Sequence, residues 1–142
     1  MKKIIDSFSD EFECFSNFYI EDVEFEGIVY PSNEHAFQAA KTLDINERKE
    51  IAKALTPGRA KRMGRKVKLR SDWENIKTDV MKELVFKKFS NKEILKAKLL
   101  DTEDAILIEG NNWGDKIWGQ VNGIGENRLG KILMKVREEL KK

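Results

Sequence analysis

Pro31 separates two periodicities that no single element can satisfy. Before it, "VEFEGIVY" (residues 23–30) begins by alternating apolar and polar residues, with Gly27 at a turn position. A period of two is the pattern of a strand with one buried face, so the stretch reads as a strand or a tight hairpin. After it, "SNEHAFQAAK" spaces its apolar residues at helical intervals. Proline brings no ladder N–H and pushes the preceding residue toward extended backbone. It therefore ends the strand, and the chain restarts as a helix over about residues 33–43 with Ser32 or Asn33 as N-cap. On that helix Ala36, Phe37, Ala40 and Leu43 form the core stripe, and Glu34, Gln38 and Lys41 lie opposite. The polar line faces either solvent or a site. A strand-to-helix junction favours a site, because its unpaired backbone N–H groups attract anions.

The same reasoning extends downstream. Asn46 is expected to cap a second helix to about residue 55, and Pro57 precedes a short helix over residues 58–64. Ser71 and Glu74 have capping-box spacing and open a long helix to about residue 89, with Trp73, Ile76, Val80, Leu84 and Phe86 at helical intervals. Ser90 and Glu93 repeat the box before Leu95, Leu99 and Leu100. "AILIEG" (residues 105–110) is a short buried strand, and a loop rich in Gly and Asn follows to residue 127. Leu129, Ile132, Leu133 and Val136 mark a final helix over residues 128–140. Helices dominate and no regular β-α-β alternation is present. The class is α+β, in a single domain over residues 1–142.

Composition narrows the function. Hydrophobic residues are 40% and charged residues 37% of the 142, the balance of a soluble folded domain. No apolar run is long enough to span a membrane, and the start lacks a signal-peptide core. One cysteine, Cys14, excludes an intramolecular disulfide and fits a reducing cytoplasm. The net charge of +2 gives no chain-wide nucleic-acid footprint. Locally, "GRAKRMGRKVKLR" (residues 58–70) carries seven Lys/Arg and no acid. It is either a solvated face or a patch that meets phosphate, on a small molecule or on a polynucleotide.

Several chemistries are not supported. One His, one Cys and no paired metal motif leave no zinc site, and no G-x-S-x-G elbow presents a serine. "GIGENRLG" (residues 123–130) lacks the P-loop pattern and follows no clear strand. Aromatic residues interleaved with polar ones remain. "CFSNFY" sets Asn17 between Phe15, Phe18 and Tyr19, and "NNWGDKIWG" brackets Asp115 with Trp113 and Trp118. Such rings either stack on a flat heterocycle or anchor a loop to the core.

In order, "FSNFY", "YPSNEHAFQAAK", "AKRMGR", the tryptophan of "DWENIKTDVM", "LLDT", "DKIWG" and "GENRLGKILMKVRE" make the chain resemble the NADAR (YbiA-like) family over nearly its full length. The resemblance implies a compact, mostly helical α+β domain. It implies an N-glycosidase that cleaves the bond between a nitrogen base and ribose. Two substrate classes come with it: ribosylaminopyrimidine intermediates of riboflavin synthesis, and ADP-ribose attached to guanine in nucleic acid. The catalytic glutamate of the family's "SEH"-type motif falls on Glu34, within "NEH"; Asn33 stands where some relatives carry serine. The family's aspartate and tryptophan before the last helix fall on Asp115 and Trp118, the latter preferred to Trp113 by its distance to "GEN".

These positions define an expected mechanism. Glu34 stabilises an oxocarbenium-like ribose and takes a proton from the attacking water. Lys41 either binds phosphate as an ammonium or attacks the anomeric carbon as a free amine, and both routes stay open. Arg62 and Arg65 hold a phosphate or pyrophosphate, Asn17 and Asp115 orient sugar or base, and Phe18 and Trp118 sandwich the heterocycle. No metal or redox cofactor and no membrane partner is called for, and no oligomeric interface is read. The contrasting reading is a non-catalytic module that binds ADP-ribose or a related nucleotide. Glu34 speaks against it, since a carboxylate beside bound phosphates repels them.

Overall fold

The computed structural model describes residues 2–142. In chain order the elements are β1 (Ile4–Ile5), a 3-10 helix (Asp10–Phe15), β2 (Ile20–Phe25), β3 (Ile28–Ser32), α1 (Asn33–Ala39), α2 (Ile45–Ala52), α3 (Pro57–Gly64), α4 (Trp73–Ser90), α5 (Glu93–Leu100), β4 (Ile106–Leu107) and α6 (Arg128–Leu140). This is the mostly helical α+β architecture with short strands that the sequence implies. The chain packs as two compact units, Asn17–Lys88 and the residues on either side of that segment. No described helix is long and apolar enough to cross a membrane.

In the Asn17–Lys88 unit, β2 and β3 pair antiparallel, with Val23 opposite Tyr30 and Phe25 opposite Ile28. Glu26 and Gly27 turn the hairpin with φ of 49° and 89°, the left-handed pair of a two-residue loop. Glu24 accepts the Gly27 N–H at 2.7 Å. Val23, Phe25 and Tyr30 are buried, as period two requires. Pro31 does not end the strand; β3 continues through it to Ser32. The sheet has two strands, so each is an edge where a missing N–H is tolerated.

Ser32 caps α1, its hydroxyl accepting the His35 N–H at 3.1 Å. The helix then stops at Ala39, about a turn short of the expected end at residue 43. Thr42 and Asp44 supply the reason. The Thr42 hydroxyl donates to Glu47 at 2.6 Å and accepts the Asp44 N–H at 3.1 Å. Asp44 in turn accepts the N–H groups of Asn46 and Glu47, so it, not Asn46, caps α2. These local bonds compete with helix continuation. Leu43 consequently lies outside the core, 68% exposed. Thr56 caps α3, with Pro57 in its first turn. In α4, Trp73, Val80 and Leu84 are buried as their spacing implies, whereas Phe86 is 39% exposed. Trp73 packs its ring 5.0 Å from that of Phe37.

In the other unit, β1 pairs parallel with β4. β4 falls within the short buried strand expected over residues 105–110, whereas β1, two residues beside polar neighbours, was not expected. The 3-10 helix buries Cys14 and Phe15, and Phe15 lies 5.9 Å from Phe89. Ser90 is the last residue of α4 and Lys92 takes the N-cap position of α5, so the box expected from Ser90 does not open that helix. Asn127, in left-handed backbone, precedes α6. Its side chain accepts the Glu109 N–H at 3.0 Å and donates to the Leu107 carbonyl at 2.9 Å. Gly130 lies so close to that same carbonyl that a Cβ would overlap it.

Candidate active site

Glu34 occupies the first turn of α1. Its backbone N–H donates to the Asn17 carbonyl at 3.0 Å. Its carboxylate accepts from Gln38 Nε2 at 2.6 Å. Glu34 is 7% and Gln38 4% exposed, and every residue of α1 is buried. The polar line opposite Ala36 and Phe37 is therefore not a solvent face. A carboxylate withdrawn from water is costly unless hydrogen-bonded and charge-compensated.

Charge compensation comes from Lys41, in the turn after α1. Its amine is held below the ordinary lysine range, chiefly by burial. Glu34 opposes that shift, while Arg65, Lys61 and Lys77 add to it. Glu34, Lys41 and Arg65, singled out from sequence, thus share one electrostatic neighbourhood. Lys61 and Lys77 belong to it as well and were missed. Lys61 was visible as the residue one turn before Arg65 in the basic run. Lys77 carried no such signal; it lies on α4 and pairs with Glu74 at 2.8 Å.

Arg62 and Arg65 sit one turn apart at the end of α3, both exposed. With Arg59, Met63 and Lys66 they line a surface groove of about 430 Å³. Arg65, rather than Arg62, is among the charges that depress Lys41. Asn17 is buried and donates its side-chain amide to Met81 Sδ at 3.4 Å. Phe18 is 44% exposed.

The one histidine is committed elsewhere. His35 Nε2 lies 3.0 Å from the Ala54 carbonyl, which only accepts, so this nitrogen carries the proton. Nδ1 then accepts from the Ser32 hydroxyl at 2.7 Å. Both ring nitrogens are occupied in tying α1 down.

Asp115 and Trp118 lie in the other unit, within one loop. Asp115 Oδ1 accepts the N–H groups of Ile117 at 3.0 Å and Trp118 at 2.9 Å. Asn111 brackets Asp115 from both sides, accepting its N–H at 3.0 Å and donating to its carbonyl at 2.9 Å. The two residues picked from this loop are thus directly bonded, while Trp113 is exposed. Among the described residues no group of three or more His, Cys, Asp or Glu side chains converges as a metal site would require.

The NADAR domain family model matches residues 5–141. N-glycosidase YbiA of Escherichia coli (strain K12) is 42% identical over 137 residues, which cover 94% of this chain and 85% of that protein. An NMR structure of the E. coli protein YbiA superposes with a TM-score of 0.87 at 41% identity, covering 99% of this chain and 87% of the other. Riboflavin biosynthesis protein VVA0006 of Vibrio vulnificus (strain YJ016) is 38% identical over 128 residues, 88% of this chain but 35% of that protein.

Proposed function

This chain belongs to the NADAR family, and we propose that it hydrolyses the bond between a nitrogen base and a phosphate-bearing ribose, with Glu34 as the catalytic carboxylate. It is an enzyme, a hydrolase of N-glycosyl compounds, as its N-glycosidase relatives are. The observation that carries the finer reading is a buried carboxylate set among cations. Glu34 is 7% exposed, beside a half-buried Lys41 that also feels Arg65, Lys61 and Lys77.

As the base departs with the electron pair of the C–N bond, positive charge spreads over the anomeric carbon and ring oxygen. The Glu34 carboxylate stabilises that charge and takes the proton of the water that attacks the carbon. The cations suit the other end of the substrate. Lys41 is an ammonium burdened by burial and by three like charges, and a substrate phosphate relieves both. The same lowering suits a free amine, so attack by Lys41 on the anomeric carbon stays open beside phosphate binding. Arg62 and Arg65 extend the same field along α3. Asn17 enters through its carbonyl, which holds the Glu34 backbone. Phe18 offers an exposed ring face for stacking on a base. For the Asp115 loop we propose substrate contact by the Trp118 ring and the Asp115 carboxylate.

The two substrate classes under consideration are ribosylaminopyrimidine phosphates and ADP-ribosylated guanine. The name of the Vibrio relative supports the first, and the basic run of residues 58–70 suits either. One buried cysteine agrees with action in a reducing cytoplasm. Purified protein is to be incubated with each substrate and the free base followed by chromatography. Release from one or both supports the reading, and release from neither overturns it. For a polynucleotide substrate, activity should fall steeply with salt; a flat profile would remove nucleic acid.

A further inference from the structure

Gln38 connects Glu34 to a neighbouring helix. Its Nε2 donates to Glu34 Oε2 at 2.6 Å. Its Oε1 is buried without a hydrogen-bond partner among the described residues and lies against the backbone of Gly64, the last residue of α3. A Cβ at position 64 would overlap this oxygen and crowd the rest of the amide. Gly64 is not there for its backbone, since its φ is not positive. Glycine is a poor helix former, so its place in α3 needs another reason, and room for the Gln38 amide supplies one.

The amide has only one workable orientation. Turned over, it would set its oxygen against the Glu34 carboxylate, two acceptors face to face. With Nε2 on the carboxylate, Oε1 must point at α3, and only a residue without a side chain leaves space for it. The helical spacing of Glu34 and Gln38, four residues apart, lets the contact form without bending α1.

We propose that Gln38 is a positioning residue for the Glu34 carboxylate, and that Gly64 acts on turnover solely by leaving room for Gln38. This rests on the reading of Glu34 as the catalytic carboxylate. A carboxylate held in one rotamer meets the anomeric carbon and the water at a fixed distance, and a displacement of the order of 1 Å in such a group costs about a hundredfold in rate.

The test measures kcat and KM for base release with Gln38→Met, Gly64→Ala and the double variant, each checked for folding by thermal melting. Met keeps the volume of Gln and removes the donor. Gln38→Met is expected to lower kcat by about 10–100-fold with KM within about twofold. Gly64→Ala is expected to lower kcat similarly, and to add nothing further in the Gln38→Met background. A kcat within about twofold of the parent in Gln38→Met overturns the inference. So does a rise in KM alone, or a Gly64→Ala loss that persists in full without Gln38. If Gly64→Ala does not fold, Gln38→Met decides alone. Glu34→Gln separates the two levels. Full turnover in that variant overturns the assignment of Glu34 and this inference together. Lost turnover there, with Gln38→Met unaffected, overturns this inference alone.

Discussion

The backbone N–H of Glu34 donates to the carbonyl of Asn17 at 3.0 Å, joining two motifs seventeen residues apart. The first N–H groups of a helix have no partner within it. Here one of them is satisfied by the segment that leads into β2, so the position of Glu34 follows the hairpin as well as its own helix.

Because that bond uses a main-chain carbonyl, Asn17→Ala should preserve it. The variant loses the buried amide contact to Met81 Sδ. Its stability should fall by about 1 kcal/mol, the usual net worth of one hydrogen bond. Its kcat should stay within about threefold of the parent. Melting and steady-state kinetics on one preparation check this; a large loss of kcat at unchanged melting would place the Asn17 side chain on the substrate.

Lys41 carries a pH signature. It binds its proton more weakly in the folded chain than in the unfolded one. The unfolded chain therefore holds more protons through the interval between the depressed value and the ordinary 10.5, and stability rises with pH across it. Below that interval the penalty is complete. Lys41→Met should thus stabilise the protein at neutral pH, and the gain should shrink as pH approaches the ordinary lysine range. The same variant should bind phosphate-bearing substrates more weakly. Denaturant melts at pH 7 and pH 10 test the first statement; a variant less stable at pH 7 contradicts it.

Arg65→Ala should weaken phosphate-bearing substrates and leave dephosphorylated analogues unchanged. Arg65 is exposed, so screening limits the effect to about 3–10-fold in KM. Arg62→Ala should do less, because Arg62 is not among the charges that reach Lys41. Equal losses on both substrate types would show that neither arginine reads the phosphate.

Tyr30 lies fully buried in β3, its hydroxyl without a hydrogen-bond partner among the described residues, and burial pushes the phenol up to about 12. The unfolded chain releases that proton near 10, so this group's stabilisation is intact below 10 and is lost as pH rises toward 12. Tyr30→Phe should melt no lower than the parent at pH 7 and higher at pH 11. A clear loss at pH 7 would mean that the hydroxyl is hydrogen-bonded in solution.

Legibility in the sequence followed the physics of each element. The α6 boundaries were legible because Leu129, Ile132, Leu133 and Val136 repeat over about two turns, a pattern that a half-buried helix explains. A strand or tight hairpin was legible from Gly27 between alternating residues, and the structure forms the hairpin. The end of α1 was not, because the bonds of Thr42 and Asp44 outweigh a weak propensity for the helix to continue. Leu43 was placed in the core for the same reason, by extending a period past its helix. The Ser90 box failed because α4 runs on through Ser90. At the candidate site, Glu34, Lys41 and Arg65 came from motif and spacing. Burial of the whole of α1 could not be read, since Glu34, Gln38 and Lys41 look like a wet face when nothing shows what covers them. Lys77 was hidden because its nearness to Lys41 is tertiary.

Base release by Glu34→Gln, with melting and binding followed on the same preparation, tests the central claim most directly. Gln keeps the length of Glu and can still accept from Gln38 Nε2, so folding and substrate affinity should survive. It lacks the negative charge and the basicity, so turnover should fall by about two to four orders of magnitude. If Glu34 were merely a favourable charge at a helix N-terminus, the variant would lose about 0.3–1 kcal/mol of stability and keep its activity. A folded Glu34→Gln protein that still releases base at more than about a tenth of the parent rate would contradict the assignment of Glu34 as the catalytic carboxylate.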